Sequence, residues 1–176
     1  MALIITIIAC IIAIPFVLAL FQSSTFVITR SVIINKPIEE VFTYLRHIKN
    51  MEHYNKWVMT DPGQKTTLTG VDGEAGFIYA WDSQNKQAGK GEQEIKQIDP
   101  NHKIALEIRF IRPFEGVSYS DMLTEAVAPG QTKVTFAFKG SKNYGMKIAH
   151  MILKLEKVLG RDLETTLQNL KQVLEK

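Results

Sequence analysis

The sequence predicts an α+β fold in which a curved antiparallel sheet of about seven strands grips one long C-terminal helix. Three observations carry this expectation. Between residues 65 and 139 short runs alternate apolar and polar side chains and are separated by glycines, as in Ile104, Leu106, Ile108 and Phe110. From Tyr144 to Lys176 the period changes: Ile148, Ile152, Leu155, Leu159, Leu163, Leu167, Leu170 and Leu174 recur at steps of three and four. Such a stripe has to be buried, and the face of the sheet is the only large partner the sequence offers.

The elements follow in order. Ala2 to Phe21 is an apolar run whose only clearly polar side chain is Thr6. A helix of that length rises about 30 Å, the thickness of a bilayer's hydrocarbon core. Residues 1–22 are therefore expected to form a transmembrane anchor, 23–26 a linker and 27–176 the globular domain. Pro15 would kink the span without forbidding it. A cleaved signal peptide is the competing reading, because Val17, Leu18 and Ala19 could pass as a cleavage site, but no Lys or Arg precedes the run. Arg30 and Lys36 follow within about twenty residues, so the positive-inside rule favours a single-pass protein with its domain on the cytoplasmic side.

Phe26 to Asn35 is rich in β-branched residues and reads as the first strand. Pro37 then opens a helix with Glu39 and Glu40 in its first turn, where the helix dipole favours negative charge. Ile38, Val41, Phe42 and Leu45 share one of its faces, and a second short helix follows near His47 to Tyr54. After the turn at Asp61, Pro62 and Gly63 come six strand candidates, 65–70, 76–82, 91–98, 103–111, 117–127 and 132–139. Turn signals between them make sequential hairpins the economical topology.

With 45% hydrophobic and 22% charged residues, the chain fits one globular domain and a short extension. The 21 Lys and Arg against 18 Asp and Glu leave a net charge of +3, too weak and too scattered a bias for a nucleic-acid partner. Cys10 is the single cysteine, which excludes an intrachain disulfide. The histidines His47, His53, His102 and His150 show no ligand spacing, so no metal or other cofactor is expected.

Several of these segments together resemble the START-like (SRPBCC) superfamily, and within it the polyketide cyclase/dehydrase and lipid-transport families. They are VIIN at 32–35, KPIEEVFTYL at 36–45, GFIYAWD at 76–82, TKVTFAF at 132–138 and LGRDLETTLQNLKQVLE at 159–175. The resemblance implies a helix-grip fold with a hydrophobic cavity between sheet and last helix that holds lipids, sterols, polyketides or other apolar molecules. On that footing Phe77, Tyr79 and Trp81 form an aromatic row in which two members carry polar handles for a ligand. Trp57 and Tyr144 add aromatic candidates. Leu106, Ile108, Phe110, Phe136 and Phe138 would line the sheet side, and Met151 and Leu155 the helix side. Glu92, Glu94, Asp121 and Glu125 lie in strand candidates, where any that faced the cavity would be available as acid or base. Nothing in their spacing selects one, and no nucleophile motif appears.

The reading with most support is a membrane-anchored domain that binds a hydrophobic small molecule or lipid without covalent chemistry. A polyketide cyclase or aromatase-type enzyme and a protein-interaction module at the membrane are the alternatives.

Overall fold

The computed structural model describes residues 1–85 and 88–176 and, within the first helix, the side chains of Ile4, Ile7 and residues 13–21. The side chains of Thr6 and Cys10 lie outside the described residues. Helix α1 (Ala2–Phe21) leads into β1 (Thr25–Ile34), α2 (Ile38–Arg46), a 3₁₀ helix (Ile48–His53) and α3 (Lys56–Met59). Six strands follow: β2 (Lys65–Thr69), β3 (Ile78–Asp82), β4 (Lys90–Asp99), β5 (Lys103–Arg112), β6 (Gly116–Ala128) and β7 (Gln131–Ser141). The chain closes with α4 (Tyr144–Leu153) and α5 (Leu155–Leu174). The seven strands make one antiparallel sheet in the order β1-β7-β6-β5-β4-β3-β2, and its concave face holds α5, as the alternation and the C-terminal stripe require.

The core forms where the sheet's inward residues meet two helical stripes. Val41, Phe42 and Leu45 of α2 and Leu163, Leu167 and Leu170 of α5 are buried with Ile34, Ile95, Ile104 and Val134 of the strands. Charged contacts fix α5 along β1. Arg30 lies across Gly160, where a Cβ would come within 2.3 Å of its guanidinium, and its Nε donates to Glu164 at 2.5 Å. Lys56 pairs with Asp162, and the Asn169 amide donates to the Tyr54 carbonyl at 3.1 Å, so the 3₁₀–α3 segment is strapped to the same helix.

The C-terminal segment is two helices rather than one. Lys154 adopts φ 50°, ψ 43°, a left-handed conformation that ends α4, and beyond it the stripe divides. Ile152 is 60% exposed, whereas Leu163 is fully buried. The 20 residues of α5 rise about 30 Å, close to the span of the ten-residue β1 along which it packs. The partner of α4 is α1 instead: Tyr144 donates its hydroxyl to the Phe16 carbonyl at 2.8 Å, and Ala19 is fully buried.

Among the described residues, no helix is long and apolar enough to cross a membrane. This overturns the single-pass anchor expected at 1–22, the membrane as a partner through that helix, and the orientation argued from Arg30 and Lys36. Part of the surface of α1 is instead committed to packing against α4.

Where α4 meets the body, His150 is buried, with its Nδ1 3.8 Å from Glu156 Oε1 and without a hydrogen bond. Phe26 lies 4.9 Å away ring to ring, and buried Lys142 pairs with the same Glu156 at 3.1 Å. Burial pushes the imidazole below its ordinary pKa, the Lys142 ammonium adds to this, and Glu156 opposes both. With a depressed folded pKa, the unfolded chain binds the proton first. The stability this provides is present above about pH 6.5 and is lost as pH falls through the folded value. Thermal unfolding of the wild type is therefore expected to drop more between about pH 7 and about pH 5 than that of His150→Gln.

Candidate ligand cavity

The sheet, α5 and the strap formed by residues 45–64 enclose a cavity of about 270 Å³. Strand alternation builds one wall. Because successive side chains point to opposite faces, Ile104, Leu106, Ile108 and Phe110 of β5 all turn inward, joined by Ser120 and Met122 of β6 and Phe136 and Phe138 of β7. From β3 and β4 come Tyr79, Trp81 and Gln93, and from the opposite side Leu45, Ile48, Met51, Tyr54, Trp57 and Leu159. The buried members, such as Ile104 and Leu106, form the inner end. Trp57, Trp81, Phe110, Phe138 and Leu159 are partly exposed and mark the mouth.

Trp81 is held from three sides. Its ring covers Gly91, where a Cβ would lie 2.7 Å from the indole, its Nε1 donates to the Ala88 carbonyl at 2.9 Å, and Phe110 meets it edge-on at 6.2 Å. In Gly91→Ala the added methyl meets the Arg109 carbonyl at 2.6 Å as well as the indole, and the change is expected to cost about 1–3 kcal/mol by overpacking, read from a denaturation midpoint. Tyr79 is anchored at its tip, where the hydroxyl donates to Glu52 Oε1 at 3.3 Å. Burial first, and then the charge and hydrogen bond of Glu52, push the phenol up to about 12. Tyr54, fully buried, is raised further still by burial and by Tyr44 beside it. The cavity's two phenols therefore stay protonated at neutral pH. The polar handles foreseen on Tyr79 and Trp81 are already engaged with protein groups.

The strand carboxylates face the other way. Arg109, on the outer face, gathers Glu92 at 2.7 Å, Glu94 at 2.8 Å and Glu107. Hydrogen bonds from Lys96 and then Arg109 hold the Glu94 carboxyl below the usual range. Asp121 pairs with Lys139 at 2.5 Å, and Glu125 with Lys133 at 3.6 Å. None of these carboxylates faces the cavity, and among the described lining residues there is no Asp, Glu, Lys, Arg or His.

Of the twelve residues singled out from the sequence, the structure brings Trp57, Tyr79, Trp81, Leu106, Ile108, Phe110, Phe136 and Phe138 to the cavity wall. It leaves four elsewhere. Phe77 is buried in the core beside the cavity, Tyr144 is 45% exposed on α4, and Met151 borders a separate cleft with Gln22, His150 and Lys154. Leu155 begins α5 one turn before Leu159, which does reach the wall. Thirteen of the described lining residues were not foreseen: Asn55, Gln64, Gln93 and Ser120 are polar, and among the others Leu45, Ile48, Met51 and Leu159 come from the helical segments. A signal for Gln93 was present, since it alternates with Ile95 in β4. Gln64 follows a turn and carries no periodicity.

The family described as polyketide cyclase / dehydrase and lipid transport matches residues 25–175. No curated protein matches the chain by sequence. Among solved structures, norcoclaurine synthase from Thalictrum flavum superposes with a TM-score of 0.62 at 12% identity, over 85% of this chain and 86% of that one. The Aha1 dimer from Colwellia psychrerythraea gives 0.58 at 16% identity, over 85% and 96%. The di-domain ARO/CYC protein BexL gives 0.61 at 17%, over 87% of this chain and 51% of that one. At such identities the likeness shows the fold, whereas the family match covers most of the sequence itself. The chain thus belongs to the polyketide cyclase/dehydrase and lipid transport family, with a ligand-binding domain built from its sheet and last helix.

Proposed function

We propose that the domain binds a hydrophobic small molecule or lipid in the cavity between sheet and α5, without covalent chemistry. The observation that carries this reading is a partly open cavity walled by aromatic and aliphatic side chains, with no charged group among its described lining residues. Its volume of about 270 Å³ lies at the lower end of ligand pockets, which suits a compact ring system or a single chain better than a two-chain lipid. Phe110, Phe138 and Leu159 at the mouth are apolar, so a ligand would enter past surfaces that do not compete for its hydrogen bonds.

A cyclase-type reaction would look first to the Tyr79 hydroxyl, the lining phenol joined to a carboxylate, Glu52. A phenol held near 12 can donate a hydrogen bond and is a poor acid and a poorer base at neutral pH. That weighs toward binding.

The test is to purify the full chain from its expression host, extract it with organic solvent and analyse the extract by mass spectrometry. A stoichiometric apolar molecule is the expected result. An empty extract, from folded protein that also fails to bind added 2-naphthol, would remove the proposal.

A further inference from the structure

We propose that the molecule this cavity accepts is uncharged and carries a hydrogen-bond donor, a hydroxyl or an N–H, received by Gln64 Oε1. The inference rests on the binding role proposed above and adds the ligand's polar chemistry.

Gln64 closes the turn that starts at Asp61, with its backbone N–H donating to the Asp61 carbonyl at 3.1 Å. The turn is fixed in place because Ser83 Oγ donates to Asp61 Oδ2 at 2.5 Å, which ties it to the end of β3. From there the Gln64 side chain lines the cavity, and its Oε1 is buried without a hydrogen-bond partner. A buried carbonyl oxygen in that state keeps its full desolvation penalty until something donates to it.

The orientation of the amide follows from its neighbour. Tyr79 has one hydroxyl hydrogen, and Glu52, an acceptor only, receives it. The Tyr79 oxygen can then only accept from the nearby Gln64 amide, whose influence opposes the rise of the phenol's pKa. This places Nε2 toward Tyr79 and leaves Oε1 as the free end. Three neighbouring polar groups are engaged: Trp81 Nε1 with Ala88, Asn55 Oδ1 with the N–H groups of Trp57 and Val58, and Gln93 Nε2 against the Met51 sulfur at 3.6 Å. With no charged residue among the described lining, an ionised group at the inner end of the cavity would be buried without a counter-charge, which weighs against a charged ligand.

Three probes of one shape separate the possibilities in calorimetric titrations of the full chain at about pH 7, where a phenol is neutral. They are 2-naphthol, 2-methoxynaphthalene, which cannot donate, and 2-naphthoate, which is charged. The wild type is expected to bind 2-naphthol about tenfold or more tighter than either of the others. Gln64→Met keeps the side chain's length and removes the acceptor. It should bring 2-naphthol down to the level of the methoxy probe while leaving the latter unchanged. Equal wild-type affinities for 2-naphthol and 2-methoxynaphthalene, or a preference that survives Gln64→Met, would overturn the donor inference and leave the binding role standing. Tightest binding of 2-naphthoate would overturn the neutral-ligand part. Failure of all three to bind would remove the binding role together with the inference. The wild-type series needs no variant to fold.

Discussion

Leu159→Trp is expected to lower the affinity for 2-naphthol at least tenfold, a loss of about 1.4 kcal/mol or more, while the fold survives. Leu159 sits on α5 at the mouth, facing the wall that Phe110 and Phe138 build across the cavity. An indole there has open space to enter, so it takes up ligand volume without forcing the close-packed part of the core apart. The control is one helical turn away. Leu155 lies off the wall, and Leu155→Trp should leave affinity unchanged to within about twofold. Titration of both variants, with their thermal midpoints alongside, checks the pair. Equal effects, or none from Leu159→Trp in a folded protein, would place the ligand elsewhere.

The second large effect concerns stability. Leu167→Ala is expected to cost about 2–5 kcal/mol, because Leu167 is 1% exposed between α5 and the sheet and its loss leaves a cavity that close-packed neighbours refill only in part. Ile152→Ala, on the same apparent stripe in sequence, should cost less than about 0.5 kcal/mol, since Ile152 is 60% exposed on α4. Denaturant midpoints at constant slope measure both. Similar costs at the two positions would mean that α4 and α5 share one buried face, contrary to the break at Lys154.

The stripe shows how far periodicity reaches. From Leu159 to Leu174 its repeat identifies the buried face correctly, because one partner, the sheet, lies under the whole of α5. At Ile152 the same repeat continues onto an exposed position of α4, and no glycine or proline near Lys154 signals the change. The strands were legible for a related reason. A period of two is a local property, so Leu106, Ile108, Phe110, Phe136 and Phe138 could be assigned to one face without knowing what that face met. Gln64 was not legible. Its position depends on a turn clamped by Ser83 and on a phenol whose hydrogen is given to Glu52, contacts between residues distant in sequence. The carboxylates illustrate the converse. Glu92 and Glu94 were visible as candidates, but their shared attachment to Arg109 on the outer face depends on the register of β4 against β5.

The N-terminal run marks the other boundary of sequence reading. Twenty apolar residues predict a membrane span from composition and length alone, and neither property contains the packing of that helix against α4. The Tyr144 to Phe16 hydrogen bond joins residues 128 positions apart, beyond any local pattern.

The most direct measurement of the central claim is the location of a bound probe, by intermolecular nuclear Overhauser contacts between 2-naphthol and the full chain. Contacts from the naphthol ring to the methyl groups of Ile108, Met122 and Leu159 and to the Trp81 indole are the predicted result. Contacts confined to Met151 and Ile152 on α4, or to the outer face around Arg109, would contradict it.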